Sequence, residues 1–373
     1  MTADAVTVID SRAGLDPIAD RWRELAELRG NAFVTPEWFF AALETTDADV
    51  QPAVHALWDD DGSLRGLFPL VRTRRGLRFC GARLADRLEP VCEQGDEPTV
   101  VARLADEILQ RPRRERGLRL QRVDSEAPWL QQLIDRASSS LATVAGPEEP
   151  LPYIPLAGLD WEGYLATRSR GLRSQVRRKT KALYRDHELV LRSTRDPGEA
   201  ATDIATLFRL HDARWNSREG TSSLTDAAAR AFHAEFATGA AERGWLRLHL
   251  LERGSGEAVA GWYGWTVGGR CSYYQAGFDP SLARSSPGLV LLAESIRLAV
   301  EDGADEYDLL RGGEAFKSRF ADEERHNRDV VLAPTRSRMY LGAVGRDRMR
   351  RGWRRLPERR RAQLSRLFSA GRW

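Results

Sequence analysis

The chain has 373 residues, 42% of them hydrophobic and 30% charged, with a formal net charge of +3. That length fits two domains, each able to bury a substantial core. Cys80, Cys92 and Cys271 lack metal-ligand spacing and cannot all pair, which favours a reducing compartment over secretion. The amino terminus, MTADAVTVIDSR, has no charged start ahead of an apolar stretch, and Glu294 and Arg297 interrupt the best apolar run. Neither a signal peptide nor a transmembrane helix is expected, and the expected location is cytoplasmic.

The basicity is local. Residues 336–373 hold thirteen arginines against Asp347 and Glu358, a balance of +11 that leaves −8 for residues 1–335. With Trp353, Leu356, Leu364, Leu367, Phe368 and Trp373 among the arginines, this tail suits an anionic lipid surface, which would make the protein membrane-peripheral. It equally suits RNA, a solvated extension, or a helix packed on the body.

In chain order, the pattern predicts a strand over 6–9, helices around 16–28 and 36–44, and a strand over 53–58. An Asp60-Asp61-Gly62 turn, a strand over 64–71 and a helix near 99–110 follow. The second half opens with a cationic helix over 167–185, where Leu172, Val176 and Leu183 form a thin apolar stripe. A strand near 188–192, helices at about 200–216 and 226–243, and strands over 245–252, 258–267 and 271–278 come next. Gly268-Gly269 joins the last two as a two-residue hairpin. The series ends with a helix, a strand over 306–310 and a strand near 329–332. These patterns describe a mixed α/β fold of two similar halves, 1–150 and 151–335, plus the tail 336–373.

Residues 271–317 carry the most information. From Ser286 to Gly303, Leu289, Leu292, Ala293, Ile296, Ala299 and Val300 recur at three and four, the mark of an amphipathic helix. Ser286 suits the N-cap, Pro287 the first helical position and Gly303 the place just past the end. A helix start following a strand offers amide donors and the positive end of the macrodipole to an anion. Arg284, Ser285, Ser286 and Gly288 suit a pyrophosphate there, Gly288 by leaving room and Arg284 by adding charge.

YYQAGFDP, the SSPG helix start, YDLLRGGEAFK and LHDARW resemble the GNAT-type acyltransferases grouped as BioF2-like or CelD/BcsL, relatives of the Fem aminoacyl transferases. Through TPEWFFAAL and GLFPL the resemblance extends over roughly residues 30–335. It implies a tandem GNAT fold and an acyl-CoA donor such as acetyl-CoA, with no metal. The backbone of Tyr274, Gln275, Ala276 and Gly277 would hold the donor carbonyl. By the same resemblance the lysine of Phe316-Lys317 lies near that carbonyl, to stabilise the oxyanion or protonate the leaving group. Where the family more often has tyrosine this chain has Phe316, so a leaving-group acid must be Lys317, Tyr274 or water. The basic helix over 167–185 would meet an anionic acceptor or the CoA phosphates.

Acyl transfer also needs a base. An imidazole ordinarily titrates near neutrality, which makes His211 in LHDARW the expected base, with Arg214 and Trp215 shaping an acceptor pocket, and Glu314 and Asp308 are rival bases. Arg311, Gly312, Gly313 and Glu314 close a strand end where polar groups converge in α/β folds. Lys317 stands out as one of three lysines among fifty-four arginines. No GxxxxGK[ST], HExxH, GxSxG or CxxC motif supports nucleotide, zinc or serine hydrolase chemistry.

The expected activity is N-acyl transfer by direct attack in a ternary complex, to an amine of a small or cell-envelope-related acceptor. A Fem-like transferase using aminoacyl-tRNA and a non-catalytic binding protein of the same fold are the alternatives.

Overall fold

The structure is a computed structural model that describes residues 5–45, 50–194, 196–216, 226–321 and 323–355. The first half runs β1 (Val6–Ile9), α1 (Arg12–Leu15), α2 (Ala19–Leu28), α3 (Pro36–Glu44), β2 (Gln51–Pro52), β3 (Val54–Trp58) and β4 (Leu64–Phe68). It continues with β5 (Leu70–Thr73), β6 (Gly76–Phe79), β7 (Val91–Cys92), α4 (Glu97–Gln110), β8 (Leu118–Asp124), α5 (Pro128–Ala137) and β9 (Ala142–Ala145). The second runs β10 (Glu149–Pro155), α6 (Trp161–Thr167), α7 (Arg170–His187), β11 (Val190–Ser193), α8 (Pro197–Asn216), α9 (Ala227–Glu242) and β12 (Leu246–Glu252). After it come β13 (Ala258–Val267), β14 (Arg270–Phe278), α10 (Pro287–Glu301), β15 (Glu306–Asp308), β16 (Glu323–Ala333) and α11 (Arg338–Arg355).

Among the described residues one twelve-stranded mixed sheet passes through both halves, and β1, β3, β4 and β7 form a smaller one. β16 is the seam, pairing with β8 on one edge and with β9 and β10 on the other. It begins at Glu323, well before the strand expected near 329, because its charged first residues pair with β10. The single strand expected over 64–71 is broken. Pro69 has no amide to donate to a ladder, and the chain crosses there from β4 in the small sheet to β5 in the large one.

The hairpin between β13 and β14 turns on Gly268 and Gly269, whose φ values of 52° and 76° are the left-handed pair such a turn requires. α8 and α9 cover one face of β12–β14, while α6, α7 and α10 cover the other. Trp38 of α3 wedges between Phe232 and Phe236 of α9, with ring centroids at 4.6 and 4.9 Å, so one core is shared across the halves.

A polar network braces the same junction. Arg29 donates to Glu89 at 2.8 Å, Asn31 to Glu89 at 2.7 Å, and Arg270 reaches the Gly30 carbonyl at 2.7 Å and Glu306 at 2.5 Å. Burial opposes charge on Glu89, but the Arg87 and Arg29 guanidiniums outweigh it and pull the carboxyl down to about 2.

α11 lies on β16 and β9, burying Met339 and Ala343 and exposing Met349 and most of its arginines. Residues 356–373 of the expected tail lie outside the described residues. No helix among the described residues is long and apolar enough to cross a membrane.

Candidate functional site

The β–α–β crossover occurs twice. In the first half β6 and β8 are parallel neighbours joined through α4, pairing only over Leu77–Arg78 and Leu118–Arg119. Beyond that pair the gap is filled: the segment after β6 buries Cys80, Leu84, Ala85 and Leu88, and the Leu88 amide donates to the Arg122 carbonyl at 2.9 Å. In the second half β14 and β15 are parallel neighbours joined through α10, pairing only over Arg270–Ser272 and Glu306–Asp308. After Asp308 the chain leaves β14 and follows β10, with Leu309 and Gly312 amides on the Pro152 and Pro150 carbonyls. β14 runs on to Phe278 paired through β13 alone, so one edge of its backbone faces an opening in the sheet.

A cavity of about 470 Å³ occupies that opening. Tyr273–Ala276 of β14 form one wall, Leu309–Arg311 with Glu314 and Lys317 the opposite one, and Ser286–Leu289 of α10 the end. The remaining wall comes from the first half, where Arg83, Leu84 and Asp86 cross the filled gap to reach it. The lining charges are mostly positive, Arg83, Arg214, Arg311, Arg319 and Lys317 against Asp86 and Glu314. Several of these cations are already paired, Arg83 with Asp226, Arg311 with Asp86 and Glu149, and Lys317 with Glu314, and the excess suits an anionic donor.

Of the expected site residues, Tyr274, Gln275, Ala276, Ser286, Gly288, Arg214, Arg311, Glu314 and Lys317 line this one cavity. Arg214 donates to the Ala276 carbonyl at 3.4 Å and lies over the Phe278 ring, while the Trp215 side chain is outside the described residues. The helix start is less open than its sequence suggests. Ser286 takes a left-handed φ of 60° and its side chain makes no cap. The Ser286, Leu289 and Val290 amides donate within the turn, and Pro287 has none to give. Arg284 and Ser285 stand just outside: the Arg284 carbonyl accepts from Lys179 Nζ at 3.0 Å, and Ser285 Oγ lies 3.0 Å from His187 Nε2. These contacts bring the basic helix α7 against the turn.

Three expected catalytic roles meet a different geometry. Lys317 is buried, and its ammonium points at three protein acceptors, Arg311 O at 2.7 Å, Leu310 O at 3.4 Å and Glu314 Oε2 at 3.0 Å. Those use all three of its donors. Asp308 is buried at the end of the paired part of β15, away from the cavity lining, where it accepts from the Leu310 amide at 2.7 Å. Together the two residues clamp Leu310, whose φ of 57° is a left-handed conformation that costs a non-glycine residue about 1–2 kcal/mol. They therefore shape the wall through its backbone.

His211 is 1% exposed and lies beneath β14, off the cavity lining. Burial pushes its pKa down to about 4, so it is a weak base. Gly277 serves this packing: a Cβ would lie 2.7 Å from the Leu210 carbonyl carbon and closer still to the His211 nitrogen. Its clearance admits α8 on the far side of the strand.

Residue patterns did not single out the wall from the first half. Its signal was a segment, CGARLADRLEP, in which buried-type Leu84, Ala85 and Leu88 keep helical spacing for little more than one turn between Gly81 and Pro90, with Arg83 and Asp86 among them. Tyr273 was also missed; burial lifts its phenol to about 12. Tyr274 is committed differently from expectation, donating its hydroxyl proton to the Leu84 carbonyl at 3.0 Å. Among the described residues no group of three or more His, Cys, Asp or Glu could hold a metal. The thiols of Cys80, Cys92 and Cys271 are buried, burial raising each to about 12.

Residues 170–318 match the family model described as an acetyltransferase (GNAT) domain. The match runs from the start of α7 through the donor-side strand, turn and helix to Ser318, just past Lys317, and includes none of the first half. Among solved structures the chain is similar to FemX, at 10% identity and a TM-score of 0.63, covering 85% of this chain and 96% of that one. It is also similar to the C-terminal domain of a putative lysylphosphatidylglycerol synthetase from Agrobacterium fabrum, at 12% identity and a TM-score of 0.56, over 88% and 96% of the two chains. The L-PGS of Bacillus licheniformis gives 12% identity and a TM-score of 0.53, over 87% and 94%. At these identities the likeness is one of fold, and that fold is GNAT. No curated protein matches the sequence.

Proposed function

We propose that this chain is an N-acyltransferase that moves an acetyl or longer acyl group from acyl-CoA to an amine of a small or cell-envelope-related acceptor. Within the GNAT fold we place it with the BioF2-like (CelD/BcsL) group, on the motifs quoted above. The observation that carries the reading is the opening between β14 and β15, a 470 Å³ cavity with an unpaired strand edge on one side and the start of α10 at its end.

An extended thioester arm laid along Tyr273–Ala276 would form main-chain hydrogen bonds as an added strand does. Its pyrophosphate would then meet the turn at Ser286–Gly288, with Arg284 supplying charge. Lys317 would hold Leu310 and Arg311 in place and lend its field to the oxyanion without leaving its three acceptors. Direct attack is favoured because Cys271 is buried in the paired part of β14, outside the cavity lining.

A second reading, an aminoacyl-tRNA donor, is favoured by α7. Arg170, Arg173, Arg177, Arg178 and Lys181 line a shallow hollow on this helix, and Lys179 ties the helix to the turn.

The test is calorimetry of acetyl-CoA, a long-chain acyl-CoA and bulk tRNA against the full chain and Arg284→Ala. Acyl-CoA binding weakened about 10- to 100-fold in the variant is the expected result. Binding of tRNA alone, falling steeply with salt, favours the second reading. If none of the three binds, both fail and a non-catalytic role stands.

A further inference from the structure

We propose that Asp86, contributed by the first half, receives the amine of the acceptor, and that it makes the site selective for cationic primary amines over neutral hydroxyl acceptors. The inference rests on the acyltransfer reading and adds the group that recognises the acceptor.

Among the described residues two carboxylates line the cavity, and they are not equivalent. Glu314 is 56% exposed and closes on Lys317 at 3.0 Å. The Asp86 side chain is 14% exposed, and the polar contacts of its carboxylate among the described residues are with Arg311 alone: Oδ2 lies 3.3 Å from the Arg311 amide and Oδ1 3.3 Å from Nε. Both are at the long end of hydrogen-bond range. Arg311 is moreover shared with Glu149, at 3.2 Å. Other shielded carboxylates of this protein are saturated. Asp203 accepts from Arg192 at 2.7 and 2.8 Å and from Thr194 Oγ1 at 2.6 Å, and Glu89 is met by Arg29 and Asn31. An ionised carboxylate has about four acceptor positions, so Asp86 keeps capacity that its neighbours do not use.

The backbone that carries this carboxylate is nevertheless held. The Asp86 carbonyl accepts from Asn327 Nδ2 at 2.5 Å, tying it to β16, and the Leu84 carbonyl accepts from Tyr274, tying the segment to the donor strand. A shielded and under-used carboxylate on a fixed cavity wall is organised for a ligand that donates hydrogen bonds and carries positive charge. Burial raises the Asp86 pKa, against Arg311, Lys317 and Arg122, which lower it, and a raised value suits a group that takes a proton.

In the step this implies, the bound ammonium gives one proton to Asp86. The freed nitrogen lone pair forms the bond to the thioester carbonyl carbon, and the C–S bond breaks with its electron pair on sulfur. A second proton from nitrogen passes to the thiolate through water. Amide and thiol leave, and Asp86 releases its proton to solvent.

The test follows thiol release from acetyl-CoA with propylamine, putrescine, glucosamine and L-alanine, and with propanol and glucose, for wild type, Asp86→Asn and Asp86→Glu. The expected result is turnover of amines but not alcohols, and an amine KM about 10- to 100-fold higher in Asp86→Asn. Acetyl-CoA affinity should stay within about twofold, and Asp86→Glu should recover part of the loss. An unchanged amine KM, or equal use of the alcohols by wild type, overturns the proposal. If wild type binds acetyl-CoA but turns over none of these amines, saturation-transfer NMR of the same amines decides. Binding lost in Asp86→Asn supports the proposal, and binding retained there, or absent in wild type, overturns it. Failure of wild type to bind acetyl-CoA at all is a different result, which removes the donor reading and this inference with it.

Discussion

Replacing Tyr274 by phenylalanine removes one oxygen from the seam between the halves. The hydroxyl donates to Leu84 O at 3.0 Å and lies 3.1 Å from His233 Nε2. Because its proton goes to Leu84, the hydroxyl accepts from an Nε2–H. His233 Nδ1 is then the acceptor for the Tyr263 hydroxyl, 3.4 Å away. Burial keeps this imidazole neutral, with its pKa down to about 3, the state the arrangement needs. The phenylalanine ring keeps the contacts with Trp265 and His233, at 5.1 and 4.7 Å. Two hydrogen bonds of about 1 kcal/mol each are lost, and a buried donor left unmatched adds roughly 1 kcal/mol more. Water in the cavity can replace the bond to Leu84, which lines it, so the expected loss is about 2 kcal/mol. Urea unfolding should show a lower midpoint with unchanged slope. The acceptor KM should rise while acetyl-CoA affinity holds, since Leu84 and Asp86 share one segment. In a cycle with His233→Leu the losses should be sub-additive, both variants removing the same bond. An unchanged midpoint together with an unchanged acceptor KM would refute the reasoning.

Gly277→Ala should cost about 1–3 kcal/mol, since its Cβ meets the α8 backbone, and a thermal midpoint equal to wild type would show the helix to be less tightly seated. Lys317→Met should lose about 2–3 kcal/mol and weaken donor binding as Leu310 relaxes. Lys317→Arg should not restore either property, because a planar fork cannot converge on three acceptors around one point; full rescue in the same assays would argue against the clamp. For Glu89, the folded pKa lies near 2 against an ordinary 4.5, so its stabilisation is complete above about pH 4.5 and is lost as pH falls toward 2. Glu89→Gln should therefore be less stable than wild type at pH 7, with the gap narrowing through that window. A gap constant with pH in acid-unfolding curves would contradict the assignment.

Much of the second half was legible in sequence because its signals are local. The stripe of Leu292, Ile296 and Ala299, Pro287 at the helix start, Gly303 beyond its end and the Gly268-Gly269 turn each depend on residues within a few positions of one another. The break at Pro69 was legible in principle, since a missing amide is a property of the residue itself. Strand neighbours were not, because β16 pairs in register with β8, some two hundred positions earlier, and periodicity carries no information about partners.

The candidate site divides the same way. Tyr274–Ala276, Ser286, Gly288 and Arg311–Lys317 follow one another along a single β–α–β path, so their order alone placed them around one opening. What each does was decided by the tertiary structure. Lys317 meets carbonyls that occupy all its donors, His211 lies under the strand that it was expected to serve, and Tyr274 gives its proton to a carbonyl 190 residues away. Asp86 meets Arg311 across 225 residues, and nothing near it in the chain marks it as a wall of the cavity. A residue's identity sets which bonds it can form and short-range order sets the element it joins, but which acceptor lies within 3 Å of it depends on the packing of the whole chain.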